Sequence, residues 1–245
     1  MEPRPAPTFV EIFGSPGAGK TTLSRALQHS ASVLTRGELS ARWRSQSAAR
    51  RGAIAAAALR HPGCAMRAGE AAFKASLFRR DSLSGLGRLV VKSHWLPQVV
   101  GGKLVEEGPL QDLWSILYSS ERFEFAPSVL SPLIGSLYRD MRPRIAFIEL
   151  DARTASRRIA DRHNGKSRFD GASESIIVGK LERAAQLPAN IAAAARQAGL
   201  QVVTLDGSLP VPVLAEQLRL IWASATGSAG STDFVATGRA RGCAG

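Results

Sequence analysis

The chain has 245 residues, a formal net charge of +12 at pH 7 and a pI ≈ 10.9. This length suits one α/β domain, with or without an inserted substrate-binding piece, and argues against a second independent domain. The positive charge suits nucleic acid, an acidic membrane surface or a polyanionic small substrate. Cys64 and Cys243 lie far apart and outside any C-x-x-C pattern, which indicates neither a disulfide framework nor a zinc site and fits a reducing cytoplasm. No apolar leader and no stretch of about 18 apolar residues is present, so we expect neither a signal peptide nor a spanning helix.

The amino-terminal part of the chain contains its most informative motif. Residues 1–7 are rich in proline and predict a flexible arm, which precedes a β-rich apolar strand at Thr8–Phe13 and a helix at Thr22–Gln28. Between strand and helix, the chain matches G-x-x-x-x-G-K-[ST] at every fixed position with Gly14, Ser15, Pro16, Gly17, Ala18, Gly19, Lys20 and Thr21. In such a loop the backbone N–H groups surround phosphate oxygens, Lys20 neutralises the β and γ phosphates, and Thr21 can bind Mg²⁺. We therefore assign this loop and the adjoining Thr22 to nucleotide binding.

A second strand is predicted at Ser32–Thr35, and Arg36 and Glu38 follow it directly. Open α/β sheets bind ligands at the carboxyl ends of their strands, so both residues are candidates for substrate binding. Residues 39–100 are predicted to be mainly helical. They include a helix at 82–99, because a strand there would be too close to the next one for a parallel crossover.

The region between residues 41 and 81 carries nine basic residues and two acidic ones. This balance fits either a positive lobe over a bound anion or a solvated helical face, and both interpretations remain open.

A third strand is predicted at Lys103–Pro109, and it contains the acidic pair Glu106 and Glu107. An amphipathic helix follows at Leu110–Tyr118. The clearest strand is Arg144–Leu150, which is apolar enough to be buried on both faces.

Asp151 is placed to cap the next helix, which carries Arg157, Arg158 and Arg162. The helix leads into a polar, basic loop bounded by glycine at His163–Gly171. Loops of this kind can close over a site, so residues 157–171 are a candidate lid.

The carboxyl-terminal part is predicted to contain a helix at Ser175–Gly199, interrupted near Pro188, and a fifth strand at Gln201–Leu205 that ends at Asp206. A last helix is predicted at Val213–Trp222. Residues 223–245 are poor in apolar side chains and are expected to be disordered.

Five strands separated by helices predict a right-handed, parallel sheet covered on both faces, a three-layer α/β/α fold in a single domain over residues 8–222. In such a sheet the strand ends near residues 13, 35, 106, 150 and 205 meet at one edge. The phosphate-binding loop, Arg36, the acidic pair and the basic loop can therefore share one cleft, with residues 39–100 on its acceptor side.

Five segments of the chain, the motif among them, occur in the order that is typical of one family. They are Gly14–Thr21, Thr35–Glu38, Leu104–Pro109, the Arg158 and Arg162 helix running into Lys166-Ser167-Arg168, and Val203–Ser208. With these segments the chain resembles the thymidylate-kinase-like and deoxynucleoside-kinase-like branch of P-loop kinases, over roughly residues 8–222.

The resemblance implies the P-loop NTPase fold and an ATP-dependent phosphoryl transfer with Mg²⁺. It places Glu106 at the acidic position of the family, as a Mg²⁺ ligand partly through water or as the base for an acceptor hydroxyl, with Glu107 as the alternate. It also places Asp206 near the adenine. Where the family has an arginine after the acid, this chain has Glu107, so the resemblance does not name the acceptor.

The candidate lid is expected to supply positive charge. The variable positions of the phosphate-binding loop contain no cation, although a transferring phosphoryl group needs one. The cations available for this role are Arg158, Arg162, Lys166 and Arg168.

The sequence therefore predicts a small-molecule kinase that uses ATP and Mg²⁺, with a nucleoside or nucleotide, a sugar, a lipid head group or another small metabolite as the acceptor. Two alternatives stay open: a nucleotide-binding regulatory or assembly ATPase with slow turnover, and a nucleic-acid-directed ATPase or kinase. A cytoplasmic location is expected, and the oligomeric state is left open, a homodimer included.

Overall fold

The fold is an α/β arrangement around one parallel sheet. The structure is a computed structural model and describes residues 8–45, 59–74, 80–121, 123, 126–161 and 173–227. Within these ranges, five strands form an all-parallel sheet in the order β2-β3-β1-β4-β5. The strands are β1 Thr8–Gly14, β2 Val33–Leu34, β3 Leu104–Val105, β4 Arg142–Glu149 and β5 Gln201–Asp206. The predicted five-stranded parallel sheet is confirmed.

Helices connect the strands, as the alternation of patterns predicts. In the described residues they are α1 Lys20–Leu27, α2 Arg36–Ser45, α3 Pro62–Lys74, α4 Arg80–Trp95, α5 Pro109–Ser119, α6 Pro127–Leu137, α7 Ala152–Ala160, α8 Glu174–Arg183, α9 Gln186–Gln197 and α10 Val211–Thr226. A single 3₁₀ turn, Leu96–Gln98, follows α4. None of the described helices is both long and apolar enough to cross a membrane.

The two faces of the sheet carry two separate cores. Phe9 and Phe13 of β1 join the larger apolar cluster, together with residues of α3, α4, α5, α6 and α9. Val10 and Ile12, which alternate with them, join a smaller cluster with α1 and α10. Helices thus cover both faces, which is compatible with a three-layer α/β/α fold.

The central strand β1 is held unequally on its two sides. Seven residue pairs align it with β4, from Thr8 opposite Arg142 to Gly14 opposite Ile148. Two pairs align it with β3, where Glu11 lies opposite Val105. This register brings the segment after β3 beside the loop that follows β1, so the predicted convergence of these strand ends is confirmed.

Several predicted boundaries are wrong, each for a local reason. The strand expected over Lys103–Pro109 is limited to Leu104–Val105, because Gly108 and Pro109 begin α5. Pro188 does not interrupt its helix; the break lies before Gln186, and Pro188 sits in the first turn of α9, where no intrahelical N–H donor is needed. The last helix continues to Thr226, so residues 223–226 do not belong to a disordered tail.

Other predictions are confirmed or lie outside the described residues. The helix expected at 82–99 is α4 with its 3₁₀ turn. Asp151 caps α7 as expected, since its Oδ1 accepts a hydrogen bond from the Thr154 N–H at 2.9 Å. Residues 1–7, most of the candidate lid with Arg162, Lys166 and Arg168, and residues 228–245 lie outside the described ranges.

Candidate functional site

The loop between β1 and α1 is shaped by glycines. Gly17 and Gly19 have φ angles of 85° and 88°, in the left-handed region that favours glycine. Gly17 also lies against α7: a Cβ added to it would stand 2.5 Å from the Ala155 carbonyl oxygen. Only glycine fits this approach, so the sequence of the loop fixes its contact with α7.

Lys20 begins α1 and folds back over the loop. Its Nζ donates hydrogen bonds to the Gly14 carbonyl at 2.7 Å and to the Ser15 carbonyl at 2.9 Å. The ammonium therefore lies across the mouth of the loop, beside the amino terminus of a helix whose partial charge is positive. Both features favour an anion at this position.

Glu106 faces the loop. The Thr21 hydroxyl donates a hydrogen bond to Glu106 Oε1, and the Arg36 N–H donates to Oε2 at 3.2 Å. The Glu106 residue is 4% exposed. A threonine hydroxyl beside a carboxylate is a donor set that suits Mg²⁺, which prefers oxygen ligands and keeps several waters or phosphate oxygens. Among the described residues no group of three or more His, Cys, Asp or Glu could hold a metal ion, so Mg²⁺ here would depend on nucleotide and water for its other ligands.

Glu107 faces the other way, into a cavity. The Arg36 Nε lies 3.4 Å from its Oε2. Burial raises the pKa of the Glu107 carboxyl, and the nearby charges of Arg36 and Lys20 offset part of that rise. The two acids are thus neighbours in the chain but face in different directions, Glu106 toward the loop and Glu107 toward the cavity.

The cavity has a volume of about 270 Å³ and lies between α2, α4 and α5. Its wall is mixed in character, with apolar side chains beside charged groups and serine hydroxyls. The residues that define this character are Arg36, Arg88, Lys92, Glu107, Asp112 and Trp95. A small polar molecule of either charge would find a partner here, and Glu107 in the cavity wall is the chain neighbour of Glu106, which contacts the loop.

A second cavity of about 290 Å³ reaches the loop at Ser15 from the other side of α5. Its wall is largely apolar and comes from the end of β4 and from α5, α7, α8 and α9. The sequence offers no signal for it, because its lining comes from four stretches of the chain that lie far apart in the sequence.

The other predicted residues have the following surroundings. Glu38 accepts hydrogen bonds from the Thr35 N–H at 2.8 Å and hydroxyl at 2.9 Å, which lower the pKa of its carboxyl. Together with the bond from the Glu38 N–H to the Thr35 hydroxyl at 3.3 Å, this is a capping box at the start of α2. The box accounts for Glu38 without a ligand, and its substrate-binding role stays a prediction.

The Asp206 carboxylate likewise makes its hydrogen bonds to a neighbouring residue of the chain. Its Oδ1 accepts hydrogen bonds from the Ser208 N–H and hydroxyl, and these bonds lower the pKa of its carboxyl. The contact with adenine stays a prediction. Arg158 lies one turn beyond Ala155 on α7, within one helical turn of the contact with Gly17. Thr22 is exposed at the start of α1.

Glu11 is the feature that sequence reasoning missed. It is fully buried in the middle of β1, where it accepts hydrogen bonds from the Tyr138 hydroxyl and from the Leu110 N–H. Burial raises the pKa of Glu11 to about 7, although these bonds and the charge of Lys92 act in the opposite direction. Burial beside Glu11 also raises the pKa of Tyr138 well above its usual value. A carboxylate inside the apolar run Thr8–Phe13 was a visible signal for this site.

Comparison with known proteins gives no match to a protein-family model and none to a curated protein.

Proposed function

We propose that this chain binds ATP with Mg²⁺ at the Gly14–Thr21 loop and transfers the γ-phosphoryl group to a small acceptor in the cavity beside Glu107. The observation that carries the proposal is that the loop and the cavity are connected by two adjacent residues. Glu106 contacts Thr21 of the loop, and Glu107, the next residue, lines the cavity. A donor site and an acceptor site that share one dipeptide meet the need of phosphoryl transfer for close positioning.

The residues have separate roles in this proposal. Lys20 exchanges its bonds to the loop carbonyls for the phosphate oxygens, and Thr21 with Glu106 holds Mg²⁺ directly or through water. Bound Mg²⁺ supplies charge neutralisation on the phosphates. Arg158, with Arg162, Lys166 and Arg168, completes the positive charge around the transferred group.

Glu107 is the proposed base. It takes the proton of an acceptor hydroxyl while the acceptor oxygen bonds to the γ-phosphorus and the bond from that phosphorus to the β–γ bridging oxygen breaks. The products are a phosphoester and ADP. Because the pKa of Glu107 is raised by burial, the base loses its charge at a higher pH than an ordinary glutamate does. Turnover should therefore fall on the acid side of its pH profile earlier than an exposed carboxylate would allow.

Acceptor-dependent release of ADP from MgATP tests this function, with nucleosides, nucleotides and sugars as candidate acceptors. Lys20→Ala should lower affinity for MgATP by about a hundredfold or more while the circular dichroism spectrum stays unchanged, because the ammonium is the cation on the loop. Glu106→Gln should weaken the dependence of ATP affinity on Mg²⁺. Glu107→Gln should leave MgATP affinity intact and lower kcat. Unchanged ATP affinity in Lys20→Ala would refute the phosphate site.

A regulatory or assembly ATPase is the second candidate, and a surface observation favours it. Met66 and Phe73, seven residues apart on α3, are 72% and 74% exposed, and Leu59, which lies before the break at His61, is 83% exposed. Apolar side chains repeated at this spacing share one side of a helix, and such rows occur at partner surfaces. If no acceptor stimulates ADP release, and Leu59→Glu with Met66→Glu abolishes a self-association detected by sedimentation, this second function replaces the kinase.

A further inference from the structure

The buried carboxyl of Glu11 lies directly beneath the segment that carries the two candidate site acids. Its Oε1 accepts a hydrogen bond from the Leu110 N–H at 2.9 Å, in the first turn of α5. Its Oε2 accepts one from the Tyr138 hydroxyl. Gly108, which begins α5, has no side chain to perform this capping, so Glu11 caps the helix from another strand.

A buried lysine also holds the same segment. Lys92 of α4 is 8% exposed, and its Nζ donates to the Glu107 carbonyl at 2.7 Å and to Asp112 Oδ2 at 2.8 Å. Between these two groups the chain passes very close to Glu11. A Cβ added to Gly108 would stand 2.1 Å from the Glu11 carboxyl carbon. The segment from Glu107 to Leu110 is therefore fixed by two buried groups, a carboxyl of β1 and an ammonium of α4.

The geometry points to Glu11 as a positioning residue, whose carboxyl oxygen sets the placement of Glu106 and Glu107 by accepting the Leu110 N–H. What those two acids do rests on the proposed function. The placement itself rests only on the contacts above. Glu11 does not line the cavity, and its carboxyl accepts hydrogen bonds from Leu110 and Tyr138, so it acts through the segment and is not a catalytic residue.

A purely structural role for Glu11 makes a different prediction. The strand around it is apolar, and a leucine of similar size could pack there without the desolvation of a carboxyl group. If Glu11 served stability alone, function would follow stability in its variants. If it positions the segment, a stable variant that lacks the acceptor oxygen still loses function.

Three variants separate these roles. Glu11→Leu removes the acceptor, Glu11→Gln keeps an oxygen for the Leu110 N–H and an N–H₂ group opposite the Tyr138 oxygen, and Glu11→Asp keeps the carboxyl but shortens its reach. Hydrogen exchange of the Leu110 amide is measured in the nucleotide-free protein. It should quicken by about tenfold in Glu11→Leu and stay close to wild type in Glu11→Gln, while exchange in β4 stays constant.

The second readout is the ratio of affinities for a fluorescent ATP analogue with and without Mg²⁺. This ratio depends on Glu106 being opposite Thr21, and it should fall by about tenfold in Glu11→Leu, with metal-free affinity unchanged. Glu11→Gln should restore it. Should Glu11→Leu fail to fold, Glu11→Asp is expected to show the same two losses.

The outcomes distinguish the two proposals. The positioning role would be overturned if the Leu110 amide exchanged as slowly as in wild type in every folded variant that has no oxygen within reach of it. This holds whatever nucleotide binding shows. Faster exchange of the Leu110 amide with an unchanged Mg²⁺ ratio would overturn the role as well. Absence of nucleotide binding in the wild type would refute the proposed function, and the placement of the segment by Glu11 would then be decided by the exchange of the Leu110 amide alone.

Discussion

The ionisation of Glu11 should make the stability of the folded chain depend on pH, and Glu11→Gln should remove that dependence. The folded state raises the pKa of Glu11 from 4.5 to about 7. Below the lower value the carboxyl is protonated in both states. Between the two values the unfolded chain releases the proton while the folded chain keeps it, so the free energy of unfolding falls as pH rises. Above the higher pKa the folded protein bears the full free-energy cost of a charged, buried carboxylate.

The size of the effect follows from the two pKa values. At about 1.4 kcal/mol for each pKa unit, the difference is worth about 3 kcal/mol, of which most is lost between about pH 5 and pH 8. This is a large share of the stability of an ordinary domain, which is about 5 to 15 kcal/mol. The neutral amide of glutamine has no proton to lose, so Glu11→Gln should keep the stability that the wild type loses.

The assay is urea unfolding followed by tryptophan fluorescence at about pH 5 and pH 8 for wild type and variant. Other groups also contribute to the pH dependence, so the informative quantity is the wild-type change minus the variant change. Glu182→Gln serves as the matched control, because this carboxylate is exposed on α8. A difference below about 1 kcal/mol for Glu11→Gln, or one of equal size for Glu182→Gln, would refute the reasoning.

The remaining predictions concern the loop and its neighbour α7. Gly17→Ala and Gly19→Ala place alanine at nearly the same left-handed φ, yet a Cβ at Gly19 meets nothing within 4 Å whereas one at Gly17 collides with Ala155. Gly19→Ala should cost about 1 kcal/mol of stability and Gly17→Ala about 3 kcal/mol or more, measured by urea unfolding; equal costs would contradict the collision. Asp151→Ala should cost about 1 kcal/mol through loss of the cap, while Asp161→Ala, at the other end of the helix, should not lower the melting temperature.

The sequence predicted those parts of the site that depend on residues close together in the chain. The Gly14–Thr21 motif, the strand before it and the acids at Glu106 and Glu107 are all contiguous signals. Their meeting at one sheet edge follows from parallel topology alone. The Asp151 cap was accessible for the same reason, since cap and helix are neighbours in the chain.

The rest depends on contacts between distant segments. The network of Glu11 with Leu110 and Tyr138 spans more than ninety positions, and no local pattern specifies those partners. The different directions of Glu106 and Glu107 depend on the position of Arg36, whose N–H contacts one acid and whose side chain contacts the other. Only the anomaly of a carboxylate within an apolar strand was visible beforehand.

The strands on the two sides of β1 are joined to it by ladders of different length. Seven aligned pairs join β1 to β4, whereas β3 is joined to β1 and to β2 by two pairs each. Local opening in proteins follows the weakest-held segments. β2 and β3 therefore depend on side-chain contacts for the firmness that their short ladders do not supply, and the bonds of Lys92 to Glu107 and of Leu110 to Glu11 provide it next to β3.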